Sequence, residues 1–208
     1  MKKLTIILCS VLAIASVFAF KNYQKAQAAT QSATLSATVQ EYLGFTITGE
    51  AVAFGSLYPG IPVSVPTTGT ITGVTTNSAN GYTIALNDGV TGSGSVLLHS
   101  DGTTRIADFS GTIDTPTVWT DGISKGLGIT LYSAESAKES KWGNGTTFDD
   151  SANYYSGIPE NASVAHTVTG AITGEDTADW AFKLDVPSSQ KTGSYSGVVT
   201  FTATGVLN

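Results

Sequence analysis

One stretch of this chain lines up the residue types of a nucleophilic relay: His99, Ser100 and Asp101. A serine nucleophile needs a histidine and a carboxylate that converge from separate places in a fold, and three sequence neighbours cannot turn on one another in that way. The other histidine, His166, stands between Val164 and Val168 in an alternating run, which predicts a packed structural side chain. No H-E-x-x-H string occurs, so the helical zinc-protease pattern is excluded. The carboxylates are scattered, and their spacing locates no pair for sugar hydrolysis. The expectation is a protein that is not an enzyme and has no catalytic residue.

Two acidic groups suit another chemistry. Asp149 with Asp150, and the run Glu175, Asp176, Asp179, could supply loop oxygens to calcium, although neither follows the EF-hand spacing. Solvated loop acids are the plainer alternative. Calcium is thus the one cofactor the sequence raises. Trp119 and Trp142 lie in Gly/Asp/Ser-rich segments, where exposed indoles could stack on sugar rings. They could equally anchor long loops onto a sheet. Asn144 and Asn161 begin NGT and NAS sequons, which read here as turn residues.

These side chains need a frame, and the composition names it. Of the 180 residues from Ala29 onward, 30 are threonine, and all 23 glycines follow residue 43. Threonine is stiff at its first torsion and fits the half-exposed face of a pleated strand, while glycine and Asn-Gly pairs supply turns. The clearest strand is the last. Tyr195, Gly197, Val199, Phe201 and Ala203 occupy one face, opposite Ser196, Val198, Thr200, Thr202 and Thr204. Trp180, Phe182, Leu184 and Val186 repeat the pattern up to Pro187, so the two runs could form a hairpin across residues 188–194. Further strands are expected at 35–39, 43–47, 52–54, 70–75, 82–86, 96–98, 129–132 and 164–172. Pro59-Gly60 predicts a type II turn and Asn80-Gly81 a hairpin turn. The one helical candidate is Ala134 to Lys141, a surface turn with Glu135 and Lys138 at pairing distance. Ten or so short strands predict an all-β fold, an antiparallel β-sandwich or jelly roll, with at most one short surface helix.

The first 28 residues carry an address. Lys2 and Lys3 precede an apolar run from Leu4 to Phe20, and Ala26 and Ala28 form an A-x-A site, which together predict a signal peptide cleaved before Ala29. Cleavage after Ala19 and retention as a signal anchor are the alternatives; a bilayer span usually needs about 20 apolar residues. Residues 29–208 then form a single domain, secreted or held at the cell surface. Four of the 10 basic residues (Lys2, Lys3, Lys21, Lys25) precede Ala29 and none of the 16 acids does, which leaves 6 against 16, a net charge of −10. Such a surface repels nucleic acid and anionic membranes. The single cysteine, Cys9, lies in the leader, so disulfides and Cys-ligated zinc are excluded beyond it.

Three strings carry a resemblance: FGSLYPG (Phe54–Gly60), TNSANGYTIAL (Thr76–Leu86) and the closing GSYSGVVTFTAT (Gly193–Thr204). In this order the chain resembles secreted bacterial surface β-sandwiches related to WxL-domain proteins. It is similar, more loosely, to camelysin/TasA-type proteins that build biofilm fibres. The resemblance implies structural work at the cell surface or in an extracellular matrix. No Trp-x-Leu signature is present and Phe201 stands where its tryptophan would be, so attachment through that motif is not implied.

The segment from Ala29 to Gln40 alternates Leu35, Ala37 and Val39 with Ser36 and Thr38. It could detach as an N-terminal strand and complete the sheet of a neighbouring copy, or pair within its own subunit. The expected function is therefore an exported, non-enzymatic structural protein whose partner is a cell-envelope component or further copies of itself. A carbohydrate-binding module using Trp119 and Trp142 is the alternative.

Overall fold

The computed structural model describes residue 31, residues 34–90 and residues 95–206, without the side chains of residues 67 and 68. The expected signal peptide, including its cleavage site, lies outside the described residues, as do residues 29, 30, 32 and 33 of the N-terminal segment. The chain forms two compact units, residues 1–39 and residues 40–208. In the first, residues 34–39 form no strand, in contrast to the strand expected at Leu35–Val39. Leu35 is 93% and Val39 83% exposed. Alternation alone does not make a strand when no neighbour takes up the backbone hydrogen bonds.

The second unit is all-β, and its named strands pair antiparallel. Strands β1 (Leu43–Thr48), β2 (Val63–Thr76), β3 (Gly81–Asn87), β4 (Leu98–His99), β5 (Thr117–Val118) and β6 (Gly126–Ala134) are followed by a 3-10 turn, Ser140–Trp142. After it come β7 (Tyr154–Tyr155), β8 (Ser163–Thr169), β9 (Glu175–Asp185), β10 (Tyr195–Ser196) and β11 (Thr200–Gly205). One sheet has the order β1-β2-β9-β6 and the other β11-β3-β8, with two short ribbons, β10-β4 and β5-β7.

The two sheets enclose one core. Val74, Ile129, Leu131, Trp180 and Leu184 meet Tyr82, Ile84, Leu86 and Val168 in a single buried cluster. Trp180 on β9 lies 5.5 Å from the ring of Phe201 on β11 and edge-on to Trp142 at 5.9 Å. Its indole N–H donates to Thr72 Oγ1 at 3.0 Å, and that hydroxyl donates to the Ala178 carbonyl at 3.2 Å, so both of these buried groups are paired. A smaller cluster of Phe109, Trp119 and Tyr155 covers β6 at Gly128, where an added Cβ would meet both Trp119 and Tyr155. A glycine inside a strand here admits close approach of a covering loop.

Several expectations change with the topology. The runs ending at Val186 and starting at Tyr195 do not form a hairpin. β9 pairs with β2 and β6, whereas β10 pairs with β4 and β11 with β3. The last strand splits where its partner changes: residues 195–196 pair with β4 and residues 200–205 with β3, and Gly197 between them packs closely against the Val96 carbonyl. Asn80-Gly81 carries the chain from one sheet to the other and closes no hairpin; Gly81, at φ 84°, sits so close to the Val168 carbonyl that a Cβ would clash. Pro59-Gly60 does turn as expected, with Gly60 at φ 84° and Ile61 N donating to Tyr58 O at 3.0 Å. The expected helix at Ala134–Lys141 is a correction: Ala134 still belongs to β6, and Glu135 N donates to Thr177 O, so the strand-like path outcompetes the helix. Only the 3-10 turn remains.

Candidate functional site

The site sits at one long edge of the sandwich. β1 ends one sheet and β11 ends the other, and these two strands approach each other. No other strand among the described residues pairs with the outer edge of either. Between them lies an apolar cleft of about 450 Å³, whose walls are Phe45 and Ile47 from β1, Phe201 from β11 and Val199 just before it. Leu127 and Phe182 form its floor. A second cleft of about 730 Å³ continues it past Leu57 and Tyr195, and the two share Val52, Phe54, Leu97 and Gly197.

The local sequence explains the wall. The β1 pleat turns Phe45 and Ile47 inward while Thr46 and Thr48 face out, and Val199, Phe201 and Ala203 do the same at the other side. Val52 and Phe54, expected to form a strand, form none. Gly49 (φ 73°) and Gly55 (φ 68°) bend the backbone on either side, and the two apolar side chains pack against the core from an irregular segment. Glu50 also lines the first cleft, and the second is polar along residues 190–196. The Tyr195 hydroxyl donates to Lys191 O at 2.7 Å and accepts from Gln190 Nε2 at 2.7 Å.

The sequence-predicted site residues lie elsewhere. Trp142 is 0% and Trp119 7% exposed, so the stacking platform is corrected. Trp119 stacks on Phe109 at 4.8 Å with Lys183 Nζ 5.6 Å from its ring, and Trp142 donates its indole N–H to Ala165 O at 3.0 Å. Both are loop anchors, and neither offers a sugar a free face.

Of the two acidic groups, Asp149 with Asp150 lies in a loop, whereas the other does not. Glu175, Asp176 and Asp179 lie on β9, where the pleat puts Asp176 on the face opposite the other two. Glu175 Oε1 accepts from Thr46 Oγ1 at 2.9 Å. Asp176 is buried and accepts from the Tyr82 hydroxyl at 3.0 Å, from Ser136 N at 3.0 Å and from the Ser136 hydroxyl. Burial, and then the Asp176 charge, raise the Tyr82 phenol above its ordinary range. Burial likewise raises Asp179. Asp149 Oδ1 accepts from Thr147 Oγ1 at 3.3 Å, and Asp150 ties its own loop through the Ala152 and Thr146 amides, which hold it below the ordinary carboxylate range. Among the described residues, no three or more His, Cys, Asp or Glu side chains gather as a metal site. The calcium reading of the β9 acids is corrected, because a strand separates what a loop would have gathered.

His99 sits against Tyr195 at 4.9 Å, edge-on. Its Nδ1 accepts the Asp101 amide at 3.0 Å, which leaves Nε2–H to donate to Thr192 O at 3.1 Å. Both nitrogens thus order backbone, and neither faces Ser100. His166 is fully buried, with Nδ1 2.8 Å from Glu139 Oε2.

Phe54 and Phe201 line an open seam that exists only because of the strand order, which alternation in the sequence does not give. No family model, curated protein or solved structure matches this chain.

Proposed function

We propose that this chain is an exported, non-enzymatic structural protein of the cell surface or extracellular matrix, whose copies join by strand donation. Residues 29–40 of one copy would lie along the open seam of the next, paired with the free edge of β1 or β11. The observation that carries this reading is the seam itself: two unpaired strand edges flanking an apolar cleft in a chain with an alternating, strandless segment. Leu35 and Val39, exposed in their own copy, are the side chains the cleft would bury. Burying two such residues contributes about 1.5–3 kcal/mol each. A short ladder adds about 1 kcal/mol per hydrogen bond. Together these can exceed the low end of the roughly 4–15 kcal/mol that association costs in lost freedom. The resemblance to WxL-related and TasA-type surface proteins points the same way.

Electron microscopy of the exported protein, beside a variant lacking residues 29–40, tests the proposal. Filaments from the first and dispersed, folded particles from the second are expected. A full-length protein that stays monomeric at high concentration contradicts donation, and an unfolded deletion variant shows that the segment completes its own subunit.

A further inference from the structure

The two sheets have four outer edges, and the molecule treats them differently. β6 is covered by backbone: Ile129 exchanges hydrogen bonds with Ser156, and Leu127 does so with Ala107 and Phe109. Among the described residues no strand pairs with the outer edge of β1 or β11. β8 is the remaining edge, and side chains from residues 139–142 close it. Thr167 N donates to Glu139 Oε1 at 2.6 Å, and Ala165 O accepts the Trp142 indole N–H at 3.0 Å. Lys141 Nζ reaches Val164 O at 3.5 Å. A bulge falls at the same place, since Ile84 pairs with His166 and Ala85 with Val164, leaving Ala165 between them. Bulges and edge-directed charges are the means by which sheet proteins prevent edge-to-edge pairing.

The guarded strand would otherwise pair readily. Ser163–Thr169 reads SVAHTVT, with no Asp, Glu, Lys or Arg, and its exposed positions Val164, Thr167 and Thr169 are all β-branched. Such an edge is self-complementary: β8 of a second copy, antiparallel across a two-fold axis, presents the same groups in return. We propose that Glu139, held in place by the anchored Trp142, determines which edge of this protein can pair, by occupying the Thr167 amide and so excluding a second copy from β8. Assembly is thereby confined to the open seam. That confinement rests on the donation reading; the guard on β8 does not.

Hydrogen exchange of the Thr167 amide, with sedimentation, tests the guard. In the unaltered protein the Thr167 amide exchanges at least about tenfold more slowly than the outward-facing amides of β1 in dispersed protein. Glu139→Ala frees it at low concentration, and at high concentration a dimer forms in which it is protected again. Adding Val164→Lys to Glu139→Ala restores the monomer, because a lysine on the exposed edge opposes pairing. Glu139→Gln, which keeps an acceptor oxygen, leaves β8 closed. A Thr167 amide that exchanges in the unaltered protein as fast as the β1 edge overturns the proposal, and this holds even if Glu139→Ala does not fold. A folded Glu139→Ala protein with no β8-mediated dimer overturns it as well. Failure of donation would instead show in β1 and β11, with the Thr167 result unchanged.

Discussion

Asp108 shows how single residues in this fold are set against solvent. Its Oδ1 and Oδ2 of Asp88 are both buried atoms with no hydrogen-bond partner among the described residues. Burial, and then the Asp88 charge, push the Asp108 carboxyl from 3.8 up to about 7. A raised carboxyl in the folded state holds a proton that the unfolded chain has already released. Its contribution to stability therefore falls as pH rises from about 4 to about 7 and is flat beyond. Asp108→Asn, measured by thermal unfolding against pH, should gain on the parent protein progressively from pH 4 to pH 8. An equal offset at every pH would contradict this account. Trp142 gives a prediction of opposite kind. It is fully buried, bonded to Ala165 and edge-on to Trp180, so Trp142→Ala should cost about 3–5 kcal/mol in denaturant unfolding. The indole positions were hard to read from sequence because their segments are polar on both sides. The legible signal was Gly128, a glycine within the apolar strand GLGITLY, which marks the bare patch that Trp119 covers.

At the scale of elements, period-two alternation located β3, β9 and β11, because each has one face in the core and the other against solvent or a covering loop. Alternation carries no information on which strand is the neighbour. The expected hairpin of the last two runs therefore dissolved into two sheets, and residues 134–141 lost their helix to a continuing ladder whose partner, Thr177, lies far along the chain. The open seam was illegible for the same reason: Phe45 and Phe201 look like ordinary core residues until the strand order puts both at edges. The first unit gives this scale its prediction. Leu35 and Val39 are exposed and residues 34–39 form no strand, so deleting residues 29–40 should leave the second unit's thermal midpoint within about 2 °C of the parent in dispersed protein. A loss well beyond that would mean the segment stabilises its own copy.

For the whole molecule, charge sets the conditions of assembly. With 16 acidic residues against 10 basic ones, four of the latter before residue 29, copies of residues 29–208 repel one another. The screening length shortens from about 30 Å at 0.01 M salt to about 8 Å at 0.15 M, so added salt should speed filament growth followed by light scattering. Growth that slows with salt would indicate attraction between opposite charges at the junction. On the donation proposal, the seam between β1 and β11 receives residues 29–40 of another copy. Hydrogen exchange across residues 43–48 and 200–205, followed as protein concentration rises, tests it most directly. Slowing is expected in both segments as copies associate, none in the variant lacking residues 29–40, and no change over residues 163–169 in either. Exchange at β1 and β11 that is indifferent to concentration and to the deletion would contradict it.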